Sequence, residues 1–150
     1  MTITGTRATT DVRDDALDEA FSTYLRPFAD GSAAHFYLGG AAGIDTKALH
    51  WLAENTAAGL TVAVPCTLAD QPKTATDVVR HWRQRGRLTD VIELREPVLA
   101  TAAYHARNRW MVDRSGFVIG FPRGADPRSG TWYTLNYAAS QGKPRLIVPL

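Results

Sequence analysis

Three glycines and two alanines lie close together before a predicted helix, in the segment Gly39-Gly40-Ala41-Ala42-Gly43-Ile44-Asp45. Residues without bulky side chains let a backbone approach an anion, and the free N–H groups at the start of a helix favour negative charge. The segment therefore predicts a cradle for a phosphate group, with close packing of a strand against the helix as the alternative. Asp45 either caps the helix, which is the commoner role of this residue type, or binds a ribose hydroxyl.

Three other segments contain groups that hold phosphates. Gly5-Thr6-Arg7 offers a close backbone approach, a hydroxyl and a guanidinium, or it is a plain tight turn. Tyr104 to Met111 combines arginine and asparagine with aromatic residues in a helical pattern. Pro122 to Thr131 is a loop that leads into a helix, and its arginines either bind a ligand or keep the surface solvated. The predicted ligand- or phosphate-binding residues are Gly5, Thr6, Arg7, Gly39, Gly40, Ala41, Gly43, Asp45, Arg107, Asn108, Gly124, Ser129, Gly130 and Thr131.

The remaining reactive side chains favour neither metal binding nor redox chemistry. The histidines lack the i, i+4 pairing of a helical metal site, so we expect no metal. The chain has one cysteine, which excludes an intrachain disulfide, and we expect Cys66 to be a small buried residue.

The sequence around these segments alternates between short runs rich in β-branched residues and longer stretches with helical spacing. This alternation predicts a single-domain α/β fold over residues 1–150, a Rossmann-like three-layer sandwich with a mostly parallel sheet. Predicted strands lie at 3–4, 35–38, 60–64, 91–94, 117–121 and 145–148. Predicted helices lie at about 16–25, 44–58, 75–85 and 98–114, and a last helix ends at Gly142. Asp11 or a neighbouring threonine is predicted to cap the first helix, and Gly59 to end the second in a left-handed conformation.

The composition fits an ordinary soluble domain with a hydrophobic core, since 45% of the 150 residues are hydrophobic and 21% are charged. A formal net charge of +2 is too small for the whole molecule to bind polyanions, although it allows a local basic patch. No apolar run approaches the roughly 18 residues of a membrane span, and the first residues lack the pattern of a secretory signal. We therefore expect a cytoplasmic protein that does not contact membranes.

The segments together resemble the Rossmann domain of the DNA-processing protein A family. The residues 3–7 are similar to its opening strand and G-[ST]-R turn, and 39–45 to its S-G-x-A-x-G-I-D motif. The stretch 61–64 is similar to its next strand, 107–109 to its R-N-R, and 129–131 to its S-G-[ST] helix entry. The order of the motifs is the same, and the resemblance covers nearly the full length. It implies a Rossmann-like fold and an ability to bind single-stranded DNA.

The same core occurs in the wider SLOG superfamily, which includes the LONELY GUY phosphoribohydrolases. Arg107 and Met111 fit the R-K-x-x-M motif of those enzymes, with Asn108 in place of the lysine. Their catalytic glutamate, from G-G-x-G-T-x-x-E, corresponds to Thr134 in this chain. This difference argues against the usual phosphoribohydrolase mechanism.

Our leading hypothesis from the sequence is a nucleotide-binding protein, a sensor or binding module that holds a phosphorylated nucleotide on its glycine-rich loops and needs no cofactor. A second hypothesis is an N-glycosidase of nucleoside monophosphates that uses Asp45 or Asp113 as its carboxylate. A third is a reduced single-stranded-DNA-binding module, which requires the arginines to converge on one face. Trp132 and Tyr133 could place a ring beside a bound base. The resemblance also makes a homo-oligomer plausible.

Overall fold

The computed structural model describes residues 1–31 and 33–150, and its centre is a parallel sheet. The strands are β1 (Thr2–Gly5), β2 (His35–Leu38), β3 (Gly59–Val64), β4 (Asp90–Glu93), β5 (Val118–Phe121) and β6 (Arg145–Ile147). Their order is β4-β3-β2-β1-β5-β6, and every neighbouring pair is parallel. The predicted α/β fold is therefore confirmed, with a sheet that is parallel throughout.

In the described part of the chain, six α-helices cover the two faces of the sheet. They are α1 (Asp14–Tyr24), α2 (Arg26–Ala29), α3 (Ile44–Asn55), α4 (Lys73–Gln84), α5 (Thr101–Asp113) and α6 (Gly130–Ser140). The helix α3 contacts both α1 and α4, whereas α5 packs against α6. Right-handed crossovers place the first group on one face and the second on the other, which gives three layers. No helix in the described part of the chain has both the length and the apolar character that crossing a bilayer requires.

The core lies on both faces of the central strands. Ile3, Leu60, Val62 and Ile119 are fully buried, because strands of a parallel sheet are covered on both faces. Phe121 meets Phe21 of α1 edge to face, with ring centroids 5.5 Å apart. The sheet therefore holds the carboxyl ends of β1 and β5 firmly side by side.

The end of α3 differs from its prediction. The helix ends at Asn55, and Gly59 is the first residue of β3, paired with His35 rather than left-handed. The carbonyl groups at the helix end are bound by the Arg87 side chain, which donates to the oxygens of Leu52, Ala53, Thr56 and Ala58 at 2.6 to 3.4 Å. An arginine from a distant segment thus does the work expected of a glycine cap, because either can satisfy free carbonyls.

The beginning of the first helix also differs from its prediction. Its N-cap is Arg13, which makes no side-chain capping bond, and Asp11 instead pairs with Arg123. The predicted helix at about 16–25 corresponds to α1, which is divided at Leu25 from a short further helix, α2, with Pro27 in its first turn. Proline has no N–H to donate and is tolerated in a first turn but not within a helix, so the division occurs there.

Candidate functional site

A cavity of about 670 Å³ lies at the carboxyl ends of β1 and β5. The chain leaves β1 toward β2 on one side of the sheet and reaches β5 from the far edge, so these two strands form the topological switch point. Open α/β sheets bind ligands at such points. The lining consists of Thr4, Gly5, Thr6, Arg7, Ala8, Ala41, Asp45, Leu99, Ala100, Thr101, Tyr104, His105, Arg107, Asn108, Met111, Arg123, Arg128, Ser129, Gly130 and Thr131.

All four segments singled out in the sequence reach this cavity, but not all of their residues do. The predicted residues in the lining are Gly5, Thr6, Arg7, Ala41, Asp45, Arg107, Asn108, Ser129, Gly130 and Thr131. The lining does not contain Gly39, Gly40, Gly43 or Gly124. Ligand binding by any of these residues stays a prediction.

The glycines of the loop between β2 and α3 meet other parts of the protein itself. A Cβ on Gly39 would lie 1.9 Å from Nη1 of Arg107. Gly40 has φ +60°, and a Cβ there would approach the side chain of Val64 to 2.9 Å. Gly43 has φ +80°, and its Cβ would lie 2.4 Å from the carbonyl oxygen of Thr6. The glycines therefore allow this loop to pack closely against Arg107, Val64 and Thr6. Of these three residues, Thr6 and Arg107 line the cavity.

A buried ion pair forms the floor of the cavity. Nη1 of Arg107 lies 3.9 Å from Oδ2 of Asp45, and both side chains are less than a tenth exposed. The same Nη1 donates to the carbonyl oxygens of Gly39 and, at 3.2 Å, Ala63, while Nε donates to Oδ1 of Asn108 at 2.7 Å. Burial raises the pKa of Asp45, and the positive charge of Arg107 opposes that shift. Arg107 therefore joins α5 to the loop before α3 and to β3.

Asp45 lies in the first turn of α3, one residue beyond the start that Gly43 caps with its backbone. Its Oδ2 accepts from the N–H of Ala41 at 3.4 Å, so the carboxylate stabilises the preceding loop rather than the helix end. The remaining donors at this floor are Nη2 of Arg107 and Nδ2 of Asn108, for which we find no hydrogen-bond acceptor among the described residues. Both side chains border the cavity. A ligand there would meet a buried cation and an amide donor.

The N-terminus of α6 forms one wall. The Ser129 side chain caps the helix by accepting from the N–H of Trp132 at 3.3 Å. The N–H groups of Gly130 and Thr131 precede the first intrahelical hydrogen bond and are therefore free for an anion. A Cβ on Gly130 would have no atom within 4 Å. Unlike the first glycine loop, this helix entry is open.

Three further arginines stand around the mouth of the cavity. The guanidinium of Arg7 lies 4.6 Å from the ring centroid of Tyr104 and makes no ion pair with the described residues. Arg123 pairs with Asp11, and Arg128 with Asp126. Only one carboxylate, that of Asp45, belongs to the lining itself. The four arginines of the lining, set against Asp45 and the partner aspartates Asp11 and Asp126, leave a local excess of one positive charge.

The aromatic residues near the cavity are arranged on α5 and α6. The ring of His105 is stacked on Tyr133, with centroids 3.5 Å apart and an interplanar angle of 5°. Arg109 donates to the Tyr133 hydroxyl at 2.7 Å. Trp132 donates through Nε1 to the carbonyl of Gly124 at 2.9 Å. Of the two rings expected beside a base, neither belongs to the lining, whereas Tyr104 and His105 do.

The carboxylates considered for catalysis are separated by the fold. Asp113 is exposed at the C-terminal end of α5, accepts from the hydroxyl of Tyr137 at 2.8 Å and lies outside the lining. Thr134, at the position of the phosphoribohydrolase glutamate, is fully buried and donates to the carbonyl of Gly130. Cys66 is buried, as predicted, and also lies outside the lining.

Sequence reasoning missed three parts of the lining: Thr4, Ala8 and the group Leu99 to Thr101. Thr4 and Ala8 flank the predicted turn 5–7. The group from Leu99 to Thr101 leads into α5, which begins at Thr101. The group at the start of α5 could have been found from the rule that helix N-termini gather at the carboxyl edge of a parallel sheet. These residues have no distinctive side-chain chemistry, so their types gave no signal.

Comparison with known proteins supports the fold alone. No protein-family model and no curated protein matches the chain. The structure of DNA processing protein A from Streptococcus pneumoniae is similar, with a TM-score of 0.71, 18% identity, and coverage of 99% of this chain and 50% of that one.

The DNA processing protein A of Helicobacter pylori, described for its single-stranded DNA binding mode, has a TM-score of 0.70 and 22% identity. The match covers 99% of this chain and 64% of that one. This chain therefore spans half of the first protein and less than two thirds of the second. It has the fold of the corresponding part of DNA processing protein A.

Proposed function

We propose that this protein binds single-stranded DNA and seats a backbone phosphate in the cavity between β1 and β5. The observation that carries the proposal is that four arginines and the N-terminus of α6 converge on this one cavity. Guanidinium groups and free helix N–H groups both bind phosphate oxygens through charge-assisted hydrogen bonds. A local site of this kind does not require a high net charge on the whole molecule.

Arg7 is the side chain best suited to hold the phosphate. It is exposed and has no carboxylate partner among the described residues, whereas the other three arginines of the lining each have one. No ion pair has to break when Arg7 meets a phosphate. The ring of Tyr104 supports the guanidinium from one side, which leaves its N–H groups available at the edge.

The cavity wall suits a single strand better than a duplex. Unpaired bases stack on aromatic side chains, and Tyr104 and His105 supply rings in the lining. One face of the His105 ring is stacked on Tyr133, so only its other face or its edge can contact a base. The structural likeness to a Helicobacter protein described as binding single-stranded DNA supports the same class of ligand.

Binding of a free nucleotide is the second candidate, and the size of the cavity favours it. A volume of about 670 Å³ lies within the range of about 300–1,000 Å³ typical of small-molecule sites. In this alternative the protein is a nucleotide sensor of the SLOG superfamily, and the same phosphate position is used. The two candidates differ in whether affinity grows with the length of the strand.

Fluorescence anisotropy with a 5′-labelled oligothymidylate tests the proposal. We expect saturable binding that Arg7→Gln weakens about tenfold or more, because a hydrogen bond to a charged group contributes roughly 1.5–3 kcal/mol. The slope of log K against log salt concentration should become shallower by about 0.7. Arg83→Gln, an equal charge change on the exposed face of α4, is the matched control and should change affinity by less than about twofold.

Absence of saturable binding, or equal losses from Arg7→Gln and Arg83→Gln, would contradict the proposal. Competition by thymidine monophosphate distinguishes the two candidates. If the mononucleotide displaces the labelled strand as well as an unlabelled oligothymidylate does at equal concentration, the free nucleotide is the ligand.

A further inference from the structure

The two loops on either side of the cavity mouth are joined by one ion pair. Arg123, in the loop between β5 and α6, donates through Nη1 and Nη2 to Oδ1 and Oδ2 of Asp11, at 2.5 Å each. Asp11 belongs to the loop between β1 and α1. Arg123 lines the cavity and Asp11 does not. The guanidinium therefore lies at the cavity with its fork of donors occupied by a carboxylate from outside.

The backbone on both sides of Arg123 is held in place. The carbonyl of Pro122 accepts from the N–H of Leu150 at 3.0 Å, and that of Gly124 accepts from Nε1 of Trp132 at 2.9 Å. The side chains of Arg123 and Asp11 are 46% and 55% exposed. A change of partner would therefore need only a rotation of the arginine side chain and no rearrangement of the loop.

We propose that Arg123 binds a second backbone phosphate, and that Asp11 occupies its guanidinium until this phosphate replaces the carboxylate. The inference rests on the proposed function, in which Arg7 and α6 hold the first phosphate. A planar guanidinium presents the same pair of parallel donors to a carboxylate and to a phosphate, so one can substitute for the other. An exposed ion pair contributes little stability, so a phosphate can displace the carboxylate from Arg123. The phosphate is also attracted by the neighbouring arginines of the lining.

The expected consequence is that Asp11 lowers the affinity for a strand. Asp11→Asn should tighten binding of the labelled oligothymidylate by about two- to fivefold, since the carboxylate no longer competes. Arg123→Gln should weaken binding and make the salt slope shallower by about 0.7, the value for one lost phosphate contact on a single strand. In the double variant the benefit of Asp11→Asn should disappear.

Asp15→Asn is the matched control, because it removes the same charge from another exposed arginine pair, Arg13 with Asp15, outside the cavity. It should change affinity by less than Asp11→Asn does. Equal effects of the two variants would overturn the inference in favour of a general field, as would a benefit of Asp11→Asn that persists with Arg123→Gln. Weaker binding by Asp11→Asn would also overturn it, since the pair would then hold the loops in the binding conformation.

These results are separable from those for the proposed function. If wild type binds the strand and Arg7→Gln weakens binding as expected while Asp11→Asn has no effect, the first phosphate position stands and the second does not. If the wild type does not bind the strand, both fail. Thermal unfolding of each variant shows whether the exposed substitutions leave the fold intact.

Discussion

Two glycine-containing loops that were both predicted to hold a phosphate differ in what surrounds them. In the loop between β2 and α3, each position where a Cβ would stand at Gly39, Gly40 or Gly43 is already occupied by protein atoms. In the loop that leads into α6, a Cβ on Gly124 or Gly130 would have no neighbour within 4 Å. Glycine content thus marks a close approach, and only the structure shows whether the approaching group is the protein or a ligand.

The largest expected effect concerns the packed loop between β2 and α3. Arg107→Met should lower the free energy of unfolding by about 3–5 kcal/mol, because it leaves the buried Asp45 carboxylate without its cation. Urea unfolding measures the change. Adding Asp45→Asn to Arg107→Met should restore part of the loss, since no buried charge then remains. If Arg107→Met unfolds like the wild type, Arg107 does not hold the glycine loop.

Gly43 and Gly130 provide the direct test of the difference between the loops. Gly43→Ala should cost about 3 kcal/mol or more of unfolding free energy, because it adds a strained φ to an overlap with the Thr6 backbone. Gly130→Ala should leave stability unchanged or raise it by up to about 1 kcal/mol, since Gly130 does not have a positive φ. Similar losses from both would remove the distinction.

The open loop that leads into α6 is tested by measuring binding instead of stability. Gly130→Val places a branched side chain beside the free N–H groups of α6 and should weaken oligothymidylate binding about three- to tenfold, the equivalent of roughly one hydrogen bond. Its urea-unfolding midpoint should stay near that of the wild type. Unchanged affinity would mean that the phosphate is not at this helix entry.

The smallest expected effect concerns an aspartate from each loop. Burial raises the pKa of Asp45, whereas hydrogen bonds from Arg128 lower that of the exposed Asp126. A raised folded pKa means that the native state binds the proton more strongly, so stability from Asp45 falls as pH rises above about 3.8. The unfolding free energy of Asp45→Asn relative to wild type should therefore increase from pH 4 to 7.

Asp126→Asn should behave in the opposite way. The stabilisation from Asp126 is present above its unfolded pKa and is lost as pH falls through the lower, folded value. The difference between Asp126→Asn and wild type should therefore be greatest at neutral pH and vanish in acid. Parallel pH profiles for the two variants would show that burial does not distinguish these carboxylates.

Much of the fold was predictable because it depends on local patterns. A run such as 60–64, which is apolar except for Thr61, is typical of a parallel strand that is covered on both faces. The ends of the helices were less predictable. Arg87, which follows α4, caps the end of α3, and Asp11 pairs with Arg123 instead of capping the helix that follows it. Long-range partners of charged side chains leave no trace in local spacing.

The site shows the same division. Its position followed from the rule for strand ends, and each of the four segments reaches the cavity. Ligand binding by Arg107 stays a prediction, but the hydrogen bonds of its Nε and Nη1 to protein acceptors could not have been predicted from the sequence. Burial decides between these roles, and burial of a single arginine cannot be read from its type.

The strand order also bears on how the chain folds. β1 pairs with β2 at a single position, Thr2 with Tyr37, but with β5 at four positions along its length. Most of the strand pairing of β1 therefore forms with β5, a strand more than 100 residues later in the chain. Such non-local pairing is slow because a long loop must close first. Since the cavity lies between these same two strands, a chain that has not yet joined them has no place to hold a phosphate.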